Sequence, residues 1–146
     1  MRFGQKAEES AAMFLEGQGY KILERNYRTR WAEIDIIALH KSVVNPETLN
    51  SPNFFVTNSI NNNFNQESFN QDTLVFIEVK ARNSTRYGLP AEAVSTSKQK
   101  KIIYAALHYI RENNIVDTKI RFDVMTILFQ NGHYQMSIIP DAFQGV

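Results

Sequence analysis

The run Leu74-Val75-Phe76-Ile77-Glu78-Val79-Lys80 constrains the fold more than any other part of the chain. It is too short for a helix, rich in strand formers, and apolar at successive rather than alternate positions. Such a strand is buried on both faces, so it belongs in the middle of a sheet with layers packed on either side. The run ends in charge. Glu78 and Lys80 are two residues apart and project from one face of an extended chain. An exposed pair of this kind is worth little. Within a buried strand, an ionised pair is costly unless partners or a metal compensate it. The same acidic-any-lysine pattern recurs at Asp117-Thr118-Lys119, but in a polar turn without an apolar run, and it is assigned no role.

The rest of the chain supplies the layers. Phe3, Ala7, Ala11, Phe14 and Leu15 trace an apolar stripe at helical period, and Gly17 and Gly19 stand where that helix would end. Tyr20 to Arg28 has strand composition. If Glu33 to Leu39 is extended, Ile34, Ile36 and Ala38 point one way and Glu33, Asp35, Ile37 and Leu39 the other. Ser95 or Ser97 caps a second helix that runs through Ile102, Ala105, Ala106, Tyr109 and Ile110 and ends at Asn113 and Asn114. Ile120 to Phe129 is a fourth strand, Asn131-Gly132 a two-residue hairpin turn, and Tyr134 to Ile139 the returning strand. The order helix, three strands, helix, two strands predicts an α/β fold with a mixed sheet flanked by helices. A chain of 146 residues suits one domain, 1–146, interrupted by an Asn-rich, flexible insertion over 41–72 between strands two and three.

Composition excludes several functions. With no cysteine, thiolate zinc sites, disulfides and cysteine nucleophiles are ruled out together. No stretch approaches the ~20 apolar residues of a membrane helix, and Met1 to Glu9 lacks the apolar run of a signal peptide. The expected location is the cytoplasm, with no membrane partner. A formal net charge of +1 does not mark a polyanion binder, so any basic patch must be local.

Asp35 on the second strand and Glu78 on the third become neighbours if those strands pair. Two carboxylates and Lys80 then converge, as phosphodiester hydrolysis requires. Hard oxygens hold magnesium or manganese, the metal lowers the pKa of a bound water, and a nearby cation orients that water or stabilises charge. Asp35, Glu78 and the carbonyl of Val79 are the expected ligands and Lys80 the cation. Glu8 lies on the border of the first helix's stripe, able to reach inward or to serve as a first-turn carboxylate. Glu33 reads as a strand-edge charge and Asp123 as a satisfied structural ion. Arg28 and Arg30 before the second strand, Arg82 and Arg86 after the third, and Lys98 and Lys101 opening the second helix are the expected nucleic-acid contacts, holding phosphates without reading sequence. His40, His108 and His133 show no ligand spacing, and His108 reads as a packing residue within its helix.

At Ala7-Glu8 with Ala11, Gly19-Tyr20, Arg25-Asn26, Glu33-Ile34-Asp35, Phe76 to Lys80 with Arg82, Tyr87-Gly88, Arg121-Phe122-Asp123 and Ala142-Phe143, the chain resembles the YraN-like family of bacterial proteins. That family belongs to the restriction-endonuclease-like superfamily and is similar to archaeal Holliday junction resolvases. The resemblance implies a restriction-endonuclease-like core, Glu8, Asp35, Glu78 and Lys80 at a magnesium or manganese site, and DNA as the substrate class. It implies activity on branched or structured DNA, with a nucleic-acid-binding or repair-partner module of the same fold as the alternative. Similar resolvases work as dimers, which makes a homodimer an expectation, although no residue marks a dimer face. The chain departs from the family at Ala7 and Ala32, where glycine is usual, and in the 41–72 insertion. A ribonuclease H arrangement also clusters carboxylates, but its first strand should open the domain with an aspartate, whereas a helix opens this one.

Overall fold

Two helices and five strands follow the predicted order in the computed structural model, which describes residues 3–41, 72–82 and 94–145. Residues 42–71 of the expected insertion, Arg86 and Tyr87-Gly88 lie outside the described residues. Helix α1 spans Phe3–Gly17. Ala7, Ala11 and Leu15, four residues apart, form its buried face. Gly19, at φ +87°, supplies the left-handed turn into β1, Tyr20–Arg28. Strands β2, Glu33–His40, and β3, Thr73–Arg82, precede helix α2, Thr96–Glu112, and strands β4, Ile120–Gln130, and β5, His133–Phe143, close the fold.

The sheet order is β1-β2-β3-β4-β5. Only β3 and β4 run parallel; the other neighbours are antiparallel. A parallel pair needs a long crossover, and α2 lies within that connection. Of the two candidate caps, Ser95 is the one used: its Oγ accepts from the Lys98 N–H at 3.1 Å. Asn114, left-handed at φ +51°, follows the other end of α2. The Asn131-Gly132 hairpin has positive φ at both residues, as a primed turn demands. The α/β class and the mixed sheet between helices are as predicted and consistent with a restriction-endonuclease-like core.

Each sheet face carries one helix and one apolar cluster. Helix α2 covers Ile34, Ile37, Leu74, Phe76, Phe122 and Val124; α1 covers Ile36, Ala38, Val75, Ile77, Met125 and Ile127. β3 contributes to both, which explains its continuous apolar run.

Two expectations are corrected. Strict alternation assigned Ile34 the same side as Ile36, but Ile34 packs with Ile37 under α2 while Ile36 and Ala38 pack under α1. The phase of β2 breaks at Asp35, between the Arg25↔Ile36 and Tyr27↔Ile34 pairs, opposite the β1 residue Asn26, which is left-handed at φ +53°. His108 is not a packing residue: its side chain is 46% exposed and its Nδ1 meets the Tyr27 hydroxyl at 2.7 Å. It precedes Tyr109 by one position, about 100° around the helix, and Tyr109 is the residue turned into the core. Among the described residues, no helix is long and apolar enough to cross a membrane.

Candidate active site

β2 and β3 stay paired from His40↔Thr73 to Ile36↔Ile77 and then part. β2 continues beside β1 as far as Glu33, and β3 continues beside β4 as far as Arg82. Asp35 and Glu78 are the first residues beyond the last pair on their respective strands. The parting costs a ladder acceptor, and Asp35 replaces it: its Oδ2 accepts from the Val79 N–H at 2.7 Å. The carboxyl of Asp35 also lies close enough to Glu78 for the two to influence one another's charge.

The electrostatics follow from this crowding. Burial first, and the charge of Glu78 second, push the Asp35 carboxyl up to about 7, against the pull of the Val79 N–H. Glu78 is only 6% exposed, and its Oε1 lies 3.3 Å from the Lys80 ammonium and 3.3 Å from that of Lys98. The predicted convergence of Asp35, Glu78 and Lys80 is therefore present in the geometry. Lys98, expected at the rim, turns its ammonium into the centre instead. The Ser95 cap marks where α2 begins, but how the helix lies on the sheet, which brings Lys98 to Glu78, left no local mark in the sequence.

The other expected residues are spread around this point. Glu8 is exposed on α1 and lines a cavity of about 140 Å³ with Asp35, Ile36 and Val79. Arg25, one of the basic residues expected to flank the acidic centre, also lines that cavity, as does Asn26, which was assigned no site role. Antiparallel pairing of β1 and β2 places Arg25 across from Ile36, so a hairpin reading of Arg28 to Glu33 would have placed both there. Among the described residues Arg25 forms no ion pair. Arg28 is held to Glu33 at 3.0 Å on the exposed surface, which gives Glu33 its expected strand-edge role. Arg30 lies over the Trp31 ring at 4.6 Å, Arg82 ends β3, and Lys101 is exposed on α2.

Asp123 is the structural ion expected. It is fully buried, clamped by Arg121 at 2.7 and 2.8 Å, and it accepts from the Tyr20 hydroxyl and the Asp141 N–H. No group of three His, Cys, Asp or Glu side chains among the described residues could hold a metal ion. The donor set open to a cation is thus two carboxylates and the Val79 carbonyl, with water completing the shell. That is a sparse, all-oxygen set of the kind magnesium accepts.

Fold and site together define a mixed α/β protein, consistent with a restriction-endonuclease-like core, that carries a carboxylate pair and a lysine where two central strands part. The chain belongs to UPF0102, an uncharacterised protein family whose model matches residues 7–127, from the buried face of α1 into β4. This is the YraN-like grouping that the sequence resembles. The chain is 40% identical to the UPF0102 protein of Desulforapulum autotrophicum over 143 residues, 98% of this chain and 93% of the relative. It is 35% identical to one from Syntrophus aciditrophicus, over 99% of this chain and 90% of the relative. It is 34% identical to one from Clostridium acetobutylicum, over 97% of this chain and 93% of the relative.

Proposed function

We propose that this protein is a metal-dependent endonuclease that hydrolyses phosphodiester bonds of branched or otherwise structured DNA. On this reading it joins the restriction-endonuclease-like superfamily beside the archaeal Holliday junction resolvases. The observation that carries the reading is the meeting of Asp35, Glu78 and Lys80 at the point where β2 and β3 part. A half-buried carboxyl crowded by a buried carboxylate is a poor structural choice, since like charges at close range oppose ionisation. The pair is a good choice for holding a divalent cation.

Asp35, Glu78 and the carbonyl of Val79 would hold magnesium or manganese, which when bound polarises a phosphate oxygen and acidifies a water. Lys80, fixed by Glu78, presents its ammonium to the non-bridging oxygens and stabilises the charge that builds there as water attacks in line. Glu8, across the cavity from Asp35, orients that water. Arg28, Arg30, Arg82 and Lys101 grip the flanking phosphates and set the backbone in register.

One observation favours a second reading, a nucleic-acid-binding or repair-partner module without catalysis. The Glu78 carboxylate already has two ammonium groups at 3.3 Å. Cleavage of linear, flapped and four-way DNA by wild type, Asp35→Asn and Glu78→Gln, with magnesium, manganese or chelator, separates the two. Metal-dependent cutting by wild type that falls at least a hundredfold in both variants is the expected result. Tight binding by wild type without cutting selects the module, and equal cutting by all three proteins overturns the assignment of the centre.

A further inference from the structure

The tip of the β1–β2 hairpin carries an aromatic group that the core does not use. Trp31 belongs to neither apolar cluster and is half-buried at the surface. It is nevertheless held firmly. The Thr29 hydroxyl oxygen accepts from the Trp31 and Ala32 N–H groups at 3.1 and 3.2 Å, and the Thr29 N–H donates to the Ala32 carbonyl at 2.9 Å. The indole leans on His108 at a centroid distance of 5.7 Å. His108 Nδ1 is held in turn 2.7 Å from the Tyr27 hydroxyl, whose own proton goes to Glu112 at 2.9 Å.

Over the indole lies the Arg30 guanidinium, 4.6 Å from the ring centroid. Arg30 is exposed and forms no ion pair among the described residues. A rigid indole topped by an uncompensated planar cation is the apparatus that stacks nucleobases and answers their phosphates. Trp31 is four residues before Asp35, so the two are within about 13 Å along an extended chain.

We propose that Trp31 and Arg30 form a stacking seat for one unpaired nucleobase next to the cleavage centre. The proposal rests on the reading of that centre as acting on DNA and narrows its substrate to DNA with an unstacked base, such as a flap or a branch point. A base inside a duplex has both faces covered by its neighbours, whereas an unpaired base offers a face to the guanidinium and indole.

Trp31 is the single tryptophan of the chain, so its emission reports this seat alone. The full-length protein in chelator, where no cutting occurs, is titrated with labelled single-stranded, flapped and blunt duplex DNA of equal length. Indole emission and label anisotropy are read together. Single-stranded and flapped DNA are expected to quench the emission as anisotropy rises, and blunt duplex to bind without quenching. Trp31→Ala should weaken single-stranded binding about tenfold while leaving duplex binding unchanged, Arg30→Ala should weaken single-stranded binding about tenfold and duplex binding, through its phosphate contact alone, by clearly less, and Trp31→Phe should restore most of the Trp31→Ala loss. Arg30→Ala alters an exposed side chain, so it decides the matter should Trp31→Ala fail to fold. Binding of all three DNAs without quenching, with affinities unmoved by Arg30→Ala, overturns the seat and leaves the DNA reading standing. No anisotropy change with any DNA overturns both.

Discussion

Asp123 and Glu78 lie one row apart on adjacent strands, Asp123 in register with Ile77 and Glu78 with Val124, and both are nearly inaccessible. They face opposite sides of the sheet, and their surroundings differ. Asp123 receives four donors: two from Arg121, the Tyr20 hydroxyl and the Asp141 N–H. Glu78 has two ammonium groups at 3.3 Å but lies beside a second carboxyl, Asp35, which has a single backbone N–H for support. One buried acid is complete within the protein and the other is part of an incomplete set. Burial alone therefore does not mark a working site in this fold. What marks it is a buried charge whose compensation the chain does not finish.

The largest effect should come from breaking the complete centre. Asp123→Ala strips Arg121 of its partner inside the sheet, and loss of one member of a buried pair costs about 3–5 kcal/mol. Urea denaturation should show that loss, with Asp35→Asn at least as stable as wild type at neutral pH. A cost under about 1 kcal/mol for Asp123→Ala would mean that the clamp is not structural.

The pH dependence sharpens the contrast. The Asp35 carboxyl is raised from 3.8 to about 7, so the folded state holds this proton more tightly than the unfolded chain. The stability it contributes is fully present below pH 4, drains away as pH rises toward 7, and is absent above that. In chelator, wild type and Asp35→Asn should thus converge at low pH, diverge between pH 4 and 7, and stay apart above that, with the variant ahead by about 4 kcal/mol. Parallel curves would show that neither burial nor the charge of Glu78 raises this carboxyl.

How much of this was legible in the sequence depends on the range of the interaction. The Asn131-Gly132 turn and the Ser95 cap are local, and each was marked by residues that satisfy one backbone requirement. The Glu78–Lys80 pair was legible because period-two geometry forces them to one face. The face of Ile34 was not, because the irregularity opposite the break in β2 lies in β1, at Asn26, and nothing in Glu33 to Leu39 records it. The entry of Lys98 into the centre depends on how α2 is placed on the sheet, and the Tyr20–Asp123 bond joins residues 103 positions apart. Such contacts are decided by packing rather than by pattern.

A divalent cation should reward only the incomplete centre. At ten times its Kd, magnesium would add about 1.4 kcal/mol to stability, seen as a rise in melting temperature. Asp35→Asn should abolish the rise. Tyr20→Phe, which removes one donor from Asp123 at a cost of about 1 kcal/mol, should keep it in full. A rise that survives Asp35→Asn would place the cation elsewhere.

The smallest effect on stability, and the finest test, concerns Lys98. Its side chain is 43% exposed, so exchanging it for glutamine should alter stability in chelator by less than about 0.5 kcal/mol. Its consequence for the cation should be larger, because the Lys98 ammonium occupies the same Glu78 oxygen, Oε1, as Lys80 does. Removing one of two competing cations from a buried carboxylate leaves more of its charge for a third, so Lys98→Gln should tighten magnesium binding and enlarge the thermal shift. Were the shift unchanged, the second ammonium would be a surface charge resting near Glu78, and the incompleteness of the centre would reduce to Asp35 alone.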